Sequence, residues 1–379
     1  MDCGKYPIEI LHVGKPNIGS RDAFFKRISQ ILDNRILTNN GPFVQELESR
    51  LSRILRVKHC VAVCNGTMAL EIAIRALGME GEVILPSFTF ISTAHALEWQ
   101  GITPVFCDID PDTHNLDPQK VEELITEKTT GIIGVHLWGR PCAPEALEEI
   151  ARHRGLTLLF DAAHAFACSY KNRMIGNFGD AEIFSFHATK FLNSAEGGAI
   201  VTNNDGIAEK ARQIRNMGFV DYDKVISNGV NGKMNELCAA LGLTNLESID
   251  DFKKVNYRNY NQYKKELAHI QGVSLVEYNS EEKNNWQYIV TMLDEKKTGV
   301  QRDKLITLLH ENGILARRYF WPGCHKMEPY CYKKKEKLQP SLPETEKIAR
   351  IIVVLPTGTA TLQSDISDIC RLINKALCN

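Results

Sequence analysis

The sequence predicts an α/β protein in two parts. A large domain over residues 1–245 is built on a mainly parallel sheet flanked by helices, and a smaller C-terminal α/β domain covers 246–379. Three observations predict this. From about residue 44 to 245, short apolar runs alternate with helical patterns, the order that strand–helix–strand crossovers produce. The runs are apolar throughout instead of alternating with polar residues, as strands covered on both faces are. After residue 245 a long charged helical stretch opens a different pattern.

In chain order, the runs at 59–63, 82–85, 103–107, 131–135, 156–160, 183–186 and 198–202 are short, rich in Val, Ile, Leu and Phe, and mostly bounded by Gly, Asn, Asp or Pro. Each reads as a strand. Between them, 67–77, 92–100 and 144–154 space their apolar residues for a helix. In the second part, 250–270 reads as a long charged helix, 287–292 and 314–319 as strands, and 302–311, 343–351 and 365–376 as helices. The run Lys333-Lys334-Lys335 reads as a solvated loop. No internal repeat is evident.

Composition narrows the function by exclusion. The 45 basic and 46 acidic residues leave a formal charge of −1, so bulk charge draws the protein to neither nucleic acid nor an acidic membrane. A local basic pocket for a small anion stays open. The 11 cysteines include no CxxC pair and no zinc-ligand spacing, so no resident metal is expected. Free thiols in that number fit a reducing cytosol, where buried cysteine packs as a small hydrophobe. No stretch approaches the ~20 apolar residues a membrane span needs, and residues 1–11 lack the apolar run of a secretion signal. A cytoplasmic protein is expected.

Three features carry chemistry. Asn65-Gly66-Thr67 follows one strand and opens a helix. A glycine there lets the backbone approach an anion, and the helix N-terminus offers free N–H groups; an ordinary helix start reads the same way. Asp161 ends the run Leu158-Leu159-Phe160, where open α/β sheets bind ligands. It is suited to a cation, a metal or a protonated ring nitrogen, or to capping the next helix. Lys190 ends the run 183–190 and precedes the small-residue loop Ser194-Ala195-Glu196-Gly197-Gly198. Most lysines reach for solvent, but apolar, small and hydroxylated neighbours suit one kept in a pocket, with a lowered pKa and Schiff-base reactivity.

Phe160-Asp161-Ala162-Ala163-His164, then Ser185-Phe186-His187-Ala188-Thr189-Lys190, then Glu196-Gly197-Gly198, resemble the DegT/StrS family of sugar aminotransferases, a branch of fold-type I pyridoxal-phosphate (PLP) enzymes. The resemblance covers nearly the whole chain. It extends to Leu37–Pro42 as a substrate-side segment, 65–70 as a phosphate turn, 86–90 as the next loop, 231–236 as a dimer contact, and Leu355-Pro356. It implies that Lys190 forms a Schiff base with pyridoxal 5'-phosphate and that Asp161 keeps the pyridinium nitrogen protonated. It further implies that Gly66, Thr67 and Ser185 hold the phosphate, Phe90 stacks on the ring, and His164 sits near the phenolic oxygen. Asn231 would reach the cofactor phosphate of a partner subunit, making a homodimer with shared active sites the functional unit. Relatives that replace the lysine with His dehydrate their sugar; Lys190 points away from that chemistry.

Within the family, Ser185–Lys190, Gly14–Gly19 and Ala316–Phe320 are most similar to enzymes that aminate C4 of a nucleotide-linked 4-keto-6-deoxyhexose, with L-glutamate as amino donor. Arg317 and Arg318 would grip the diphosphate as a fork, and Tyr319 would stack on a base or sugar. A surface arginine pair beside core aromatics reads equally well. His187, His325 and Lys233 are further substrate candidates. A 3-keto sugar or a cyclitol ketone would use the same cofactor residues.

Overall fold

The computed structural model of the chain describes residues 10–331 and 341–377. The Lys333–Lys335 run lies outside the described residues. The first half runs β1 (Leu11–His12), α1 (Arg21–Asn34), α2 (Pro42–Leu55), β2 (His59–Val63), α3 (Gly66–Leu77), β3 (Glu82–Pro86), α4 (Ser92–Glu98), β4 (Thr103–Cys107), α5 (Pro118–Leu124), β5 (Thr129–Val135), α6 (Pro144–Arg154) and β6 (Thr157–Asp161). A short hairpin, β7 (Ser169–Tyr170) and β8 (Arg173–Met174), precedes β9 (Ala181–Ser185) and β10 (Gly198–Thr202). Then come α7 (Asp205–Arg215), a second hairpin of β11 (Phe219–Asp221) and β12 (Lys224–Val225), α8 (Glu236–Glu247) and α9 (Ile249–Leu267).

Seven strands form one sheet in the order β2-β10-β9-β6-β5-β3-β4. Only β10 runs antiparallel to its neighbours. Both faces are buried, which is why the strands read as unbroken apolar runs. Leu158 and Phe160 face one core with Leu47, Leu51 and Phe184, while Leu159 faces the other with Ile72, Ile133 and Ile183. The parallel strands deliver their C-terminal ends to one edge, where a sheet of this kind binds ligands.

The remainder holds a three-stranded sheet, β13 (Val273–Leu275), β14 (Ile289–Leu293) and a later strand Ile352–Leu355, in that order and antiparallel. The helices Arg302–Glu311, Pro343–Ile351 and Gln363–Leu377 pack around it. The strand expected over 314–319 is only Ile314–Leu315. Ala316 N–H turns back to the Ile314 carbonyl at 2.9 Å, Arg317 then bridges Val354, and Arg317, Tyr319 and Phe320 reach the cleft described next. Ile314–Leu315 pairs in parallel with β1. The N-terminal segment therefore joins the second half of the chain, a long-range pairing that local patterning does not announce.

Candidate active site

A cavity of about 480 Å³ opens at the C-terminal edge of the large sheet. It is lined from the ends of β5, β6 and β9, from the turns after β2 and β3, and from Arg317, Tyr319 and Phe320 of the second half.

One end of the cavity is an anion cradle. The Asn65 side chain caps α3, accepting from Met68 N–H at 2.8 Å. Gly66 follows, and a Cβ there would lie 2.8 Å from Ser185 Cβ and 3.1 Å from its hydroxyl. Only glycine lets the helix start come this close to β9. Thr67 donates its hydroxyl to Ser92 Oγ at 3.1 Å. Three hydroxyls, from Thr67, Ser92 and Ser185, thus surround the N-terminus of a 12-residue helix, a site that suits a phosphate.

The other end holds the reactive groups. Lys190 sits in a turn closed by its own N–H to the His187 carbonyl (2.8 Å) and propped by Gln287, whose amide donates to the Thr189 carbonyl (3.0 Å). Burial lowers the Lys190 ammonium to about 8, and the Asp161 carboxylate opposes that drop. Asp161 is 6% exposed. Burial raises its pKa, while donors from Ala163 N–H (3.1 Å) and Thr93 Oγ1 (3.0 Å) and the Lys190 charge pull it down. Thr93 is in turn within 3.0 Å of Thr89 Oγ1. Asp161 is therefore a buried carboxyl whose ionised form calls for a cation, and a protonated ring nitrogen would supply one. The cradle, the lysine and this carboxyl together fit a phosphorylated pyridine aldehyde.

His164 lines the cavity with its ring 4.3 Å from Tyr288, and its Nδ1 accepts from Trp138 N–H at 3.3 Å. Burial, followed by the charge of Lys190, holds its pKa well below the usual imidazole range. Phe90 also lines the cavity, 55% exposed and 6.5 Å edge-on from Phe320.

Of the expected substrate residues, His187, Arg317 and Tyr319 line the cavity. His187 Nδ1 is 2.9 Å from Thr189 Oγ1 and Nε2 is 3.6 Å from Glu196 Oε1. Arg317 lies over the Tyr319 ring at 5.6 Å.

Two other expected substrate residues lie away from this cavity lining. Arg318 does not join Arg317 in a fork; it pairs with Asp303 at 3.2 Å, outside the cavity lining. Successive side chains of an extended segment point to opposite sides, and here Arg317 faces the cavity while Arg318 faces Asp303. His325 is only 2% exposed, with Nδ1 2.6 Å from Ser87 Oγ and its backbone N–H donating to the same oxygen at 3.0 Å. It ties the segment after Trp321-Pro322 to the end of β3. Asn231 and Lys233 lie outside the lining of their own chain's cavity; they bridge Asn216 and Val63.

Ser92, Thr93, Trp138, Gln287 and Tyr288 were not singled out from sequence. Ser92 and Thr93 follow the Thr89-Phe90 turn at the start of a helix, the one local hint available. The others reach the site only through tertiary packing.

A lysine held at low pKa beside a buried carboxyl and an anion cradle, on this fold, defines an enzyme that transfers amino groups. The chain belongs to the DegT/DnrJ/EryC1/StrS aminotransferase family, matched over residues 20–374. It is 39% identical over 320 residues, 84% of this chain and 87% of the other, to a dTDP-4-amino-4,6-dideoxy-D-glucose transaminase of Shigella dysenteriae. The Escherichia coli protein of the same name is 33% identical, with 95% of this chain and 97% of the other covered. Among solved structures, DesI in the presence of its TDP-sugar product superimposes with a TM-score of 0.93 at 43% identity, covering 97% of this chain and 93% of the other.

Proposed function

We propose that this protein is a cytoplasmic, PLP-dependent aminotransferase that moves the amino group of L-glutamate to C4 of a nucleotide-linked 4-keto-6-deoxyhexose, forming dTDP-4-amino-4,6-dideoxyglucose. One observation carries the chemistry: Lys190, at about 8, shares a cavity with buried Asp161 and with the helix-start cradle. The names of the similar transaminases carry the substrate.

When bound, PLP supplies an aldehyde for amine exchange and a ring that accepts electrons. The chain's own residues do the rest. Gly66 N–H and the Thr67 and Ser185 hydroxyls hold the phosphate, and Phe90 covers a ring face. Asp161 keeps the proton on the ring nitrogen. Lys190 Nζ would anchor the cofactor; once freed by the donor amine it would take the proton from the donor's α-carbon and, in the second half of the reaction, deliver a proton to the sugar carbon being aminated. A pKa near 8 leaves part of the population neutral at neutral pH, as both roles require. Arg317 meets the diphosphate with its guanidinium, and Tyr319 and His187 border the sugar.

The functional unit is a homodimer, with Asn231 reaching the phosphate bound in the partner subunit. Exposed Tyr222, Val225, Ile226 and Val230 around the β11–β12 hairpin, near Asn231 in the chain, support an apolar contact there. Free thiols, nine among the described residues, support the reducing compartment.

The test is product analysis by mass spectrometry and NMR after incubation with PLP, glutamate and dTDP-4-keto-6-deoxyglucose. A 4-amino-4,6-dideoxyhexose nucleotide is expected. Bleaching of cofactor absorbance by glutamate without that product would overturn the substrate and direct the search to 3-keto sugars and cyclitol ketones.

A further inference from the structure

Trp138 is fully buried, yet its backbone is left-handed (φ 61°, ψ 9°) and its indole N–H has no hydrogen-bond partner. Both features cost stability in a bulky aromatic residue. Gly139 continues the turn at φ 83°, and a Cβ there would stand 3.2 Å from both the His164 carbonyl and Cys168 Sγ. The turn is pressed against the backbone of His164, and the residue that bears its cost lies next to the cleft.

This conformation aims one amide. Trp138 N–H donates to His164 Nδ1 at 3.3 Å. The bond occupies the Nδ1 lone pair, so a neutral imidazole must carry its proton on Nε2. The ring is also held in plane, stacked on Trp138 at 5.8 Å and 25° and against Tyr288 at 4.3 Å. The His164 carbonyl accepts from the Asn285 amide at 2.9 Å, which fixes the backbone beneath it.

We propose that the Trp138-Gly139 turn is a positioning element that locks His164 as the neutral Nε2–H tautomer, a permanent donor toward the phenolic oxygen of bound PLP. The proposal rests on the PLP reading above. Ionised, that oxygen can only accept a hydrogen bond; the opposite tautomer would present it with a lone pair. Burial and the nearby Lys190 keep the imidazole uncharged, so tautomer alone decides whether His164 helps or repels.

The test is two-bond proton–nitrogen NMR on holoenzyme labelled with ¹⁵N-histidine, with His164 among the 11 histidines assigned by its loss in His164→Gln. The expected signature is a bare Nδ1 and a protonated Nε2, unchanged from mildly acidic to mildly basic pH. Trp138→Gly keeps the amide and adopts the left-handed backbone freely, so it retains the signature. Trp138→Val disfavours that backbone and loses it. In the Val variant the pH midpoint of the cofactor's visible absorbance rises by about one unit, the worth of one hydrogen bond, because an unassisted phenolate holds the proton of the Lys190 linkage more tightly. An Nδ1–H signature in the wild type, loss in the Gly variant, or retention in the Val variant overturns the proposal. If Val does not fold, the wild-type signature still decides. Wild type that takes up no cofactor absorbance fails at the PLP reading instead and removes the proposal with it.

Discussion

Replacing Thr93 with Val tests how Asp161 is kept ready for a cation. Thr93 is fully buried and close in shape to valine, so the change removes one hydroxyl and little volume. That hydroxyl donates to Asp161 Oδ2 at 3.0 Å and contacts Thr89 Oγ1 at 3.0 Å. A hydrogen bond to a charged group contributes about 1.5–3 kcal/mol. Burial already raises the Asp161 pKa, and Ala163 N–H, Thr93 and the charges of Lys190 and His136 pull against it. Losing the hydroxyl should lift the pKa further. A carboxyl of higher pKa tends to take the proton itself and gives up its charge as partner to the ring-nitrogen cation, and PLP affinity should fall roughly 10- to 100-fold. The assay is titration of apoenzyme with PLP followed by absorbance, with Thr93→Ser as the control that keeps the hydroxyl. Wild-type affinity and kcat in Thr93→Val would refute the claim that this bond tunes Asp161. Equal losses in the Ser and Val variants would show that packing, and not the hydroxyl, matters.

Five further outcomes are expected. Lys190→Ala should abolish transamination while PLP still binds non-covalently through the cradle, visible as a shifted absorbance that dialysis removes; turnover at the wild-type rate would rule out the assignment. The pKa of Lys190 falls from 10.5 to about 8 in the folded chain, so the apoenzyme's capture of PLP should accelerate as pH rises towards 8 and level off above it. By the same shift the apoprotein loses stability as pH falls from about 10.5 through about 8, since folding disfavours the ammonium that the unfolded chain binds freely; a flat Tm over that range, once other titrating groups are matched in a Lys190→Met control, would contradict it. Arg317→Ala should raise KM for the nucleotide sugar by roughly 10- to 100-fold, the loss of one charge-assisted contact. Arg318→Ala, which breaks an exposed pair with Asp303, should cost under about 1 kcal/mol of stability and leave kcat/KM unchanged.

The contrast between Arg317 and Arg318 marks where reading the sequence stops. Lys190, Asp161 and Gly66 were legible because each stands at a strand end or helix start, and local pattern announces those places. The apolar strands were legible for a related reason: helices cover both faces of the sheet, so burial is written into every residue of the run. The division of labour between two adjacent arginines was not, because it depends on which side of an extended segment faces the cavity. That is set by the backbone bridge of Arg317 to Val354, after the turn at Ala316 and the pairing of Ile314–Leu315 with Leu11–His12, some 300 residues distant. The place of His325 was hidden for a similar reason: the Ser87 hydroxyl that holds it comes from 238 residues away. Thr93, Trp138 and Gln287 act on Asp161, His164 and the Lys190 turn across the fold. Ordinary composition hides them, since a threonine in a short helix or a tryptophan after a strand has no local mark of purpose. Only the backbone of Trp138 gives its role away, as a strained conformation kept beside the very nitrogen it satisfies.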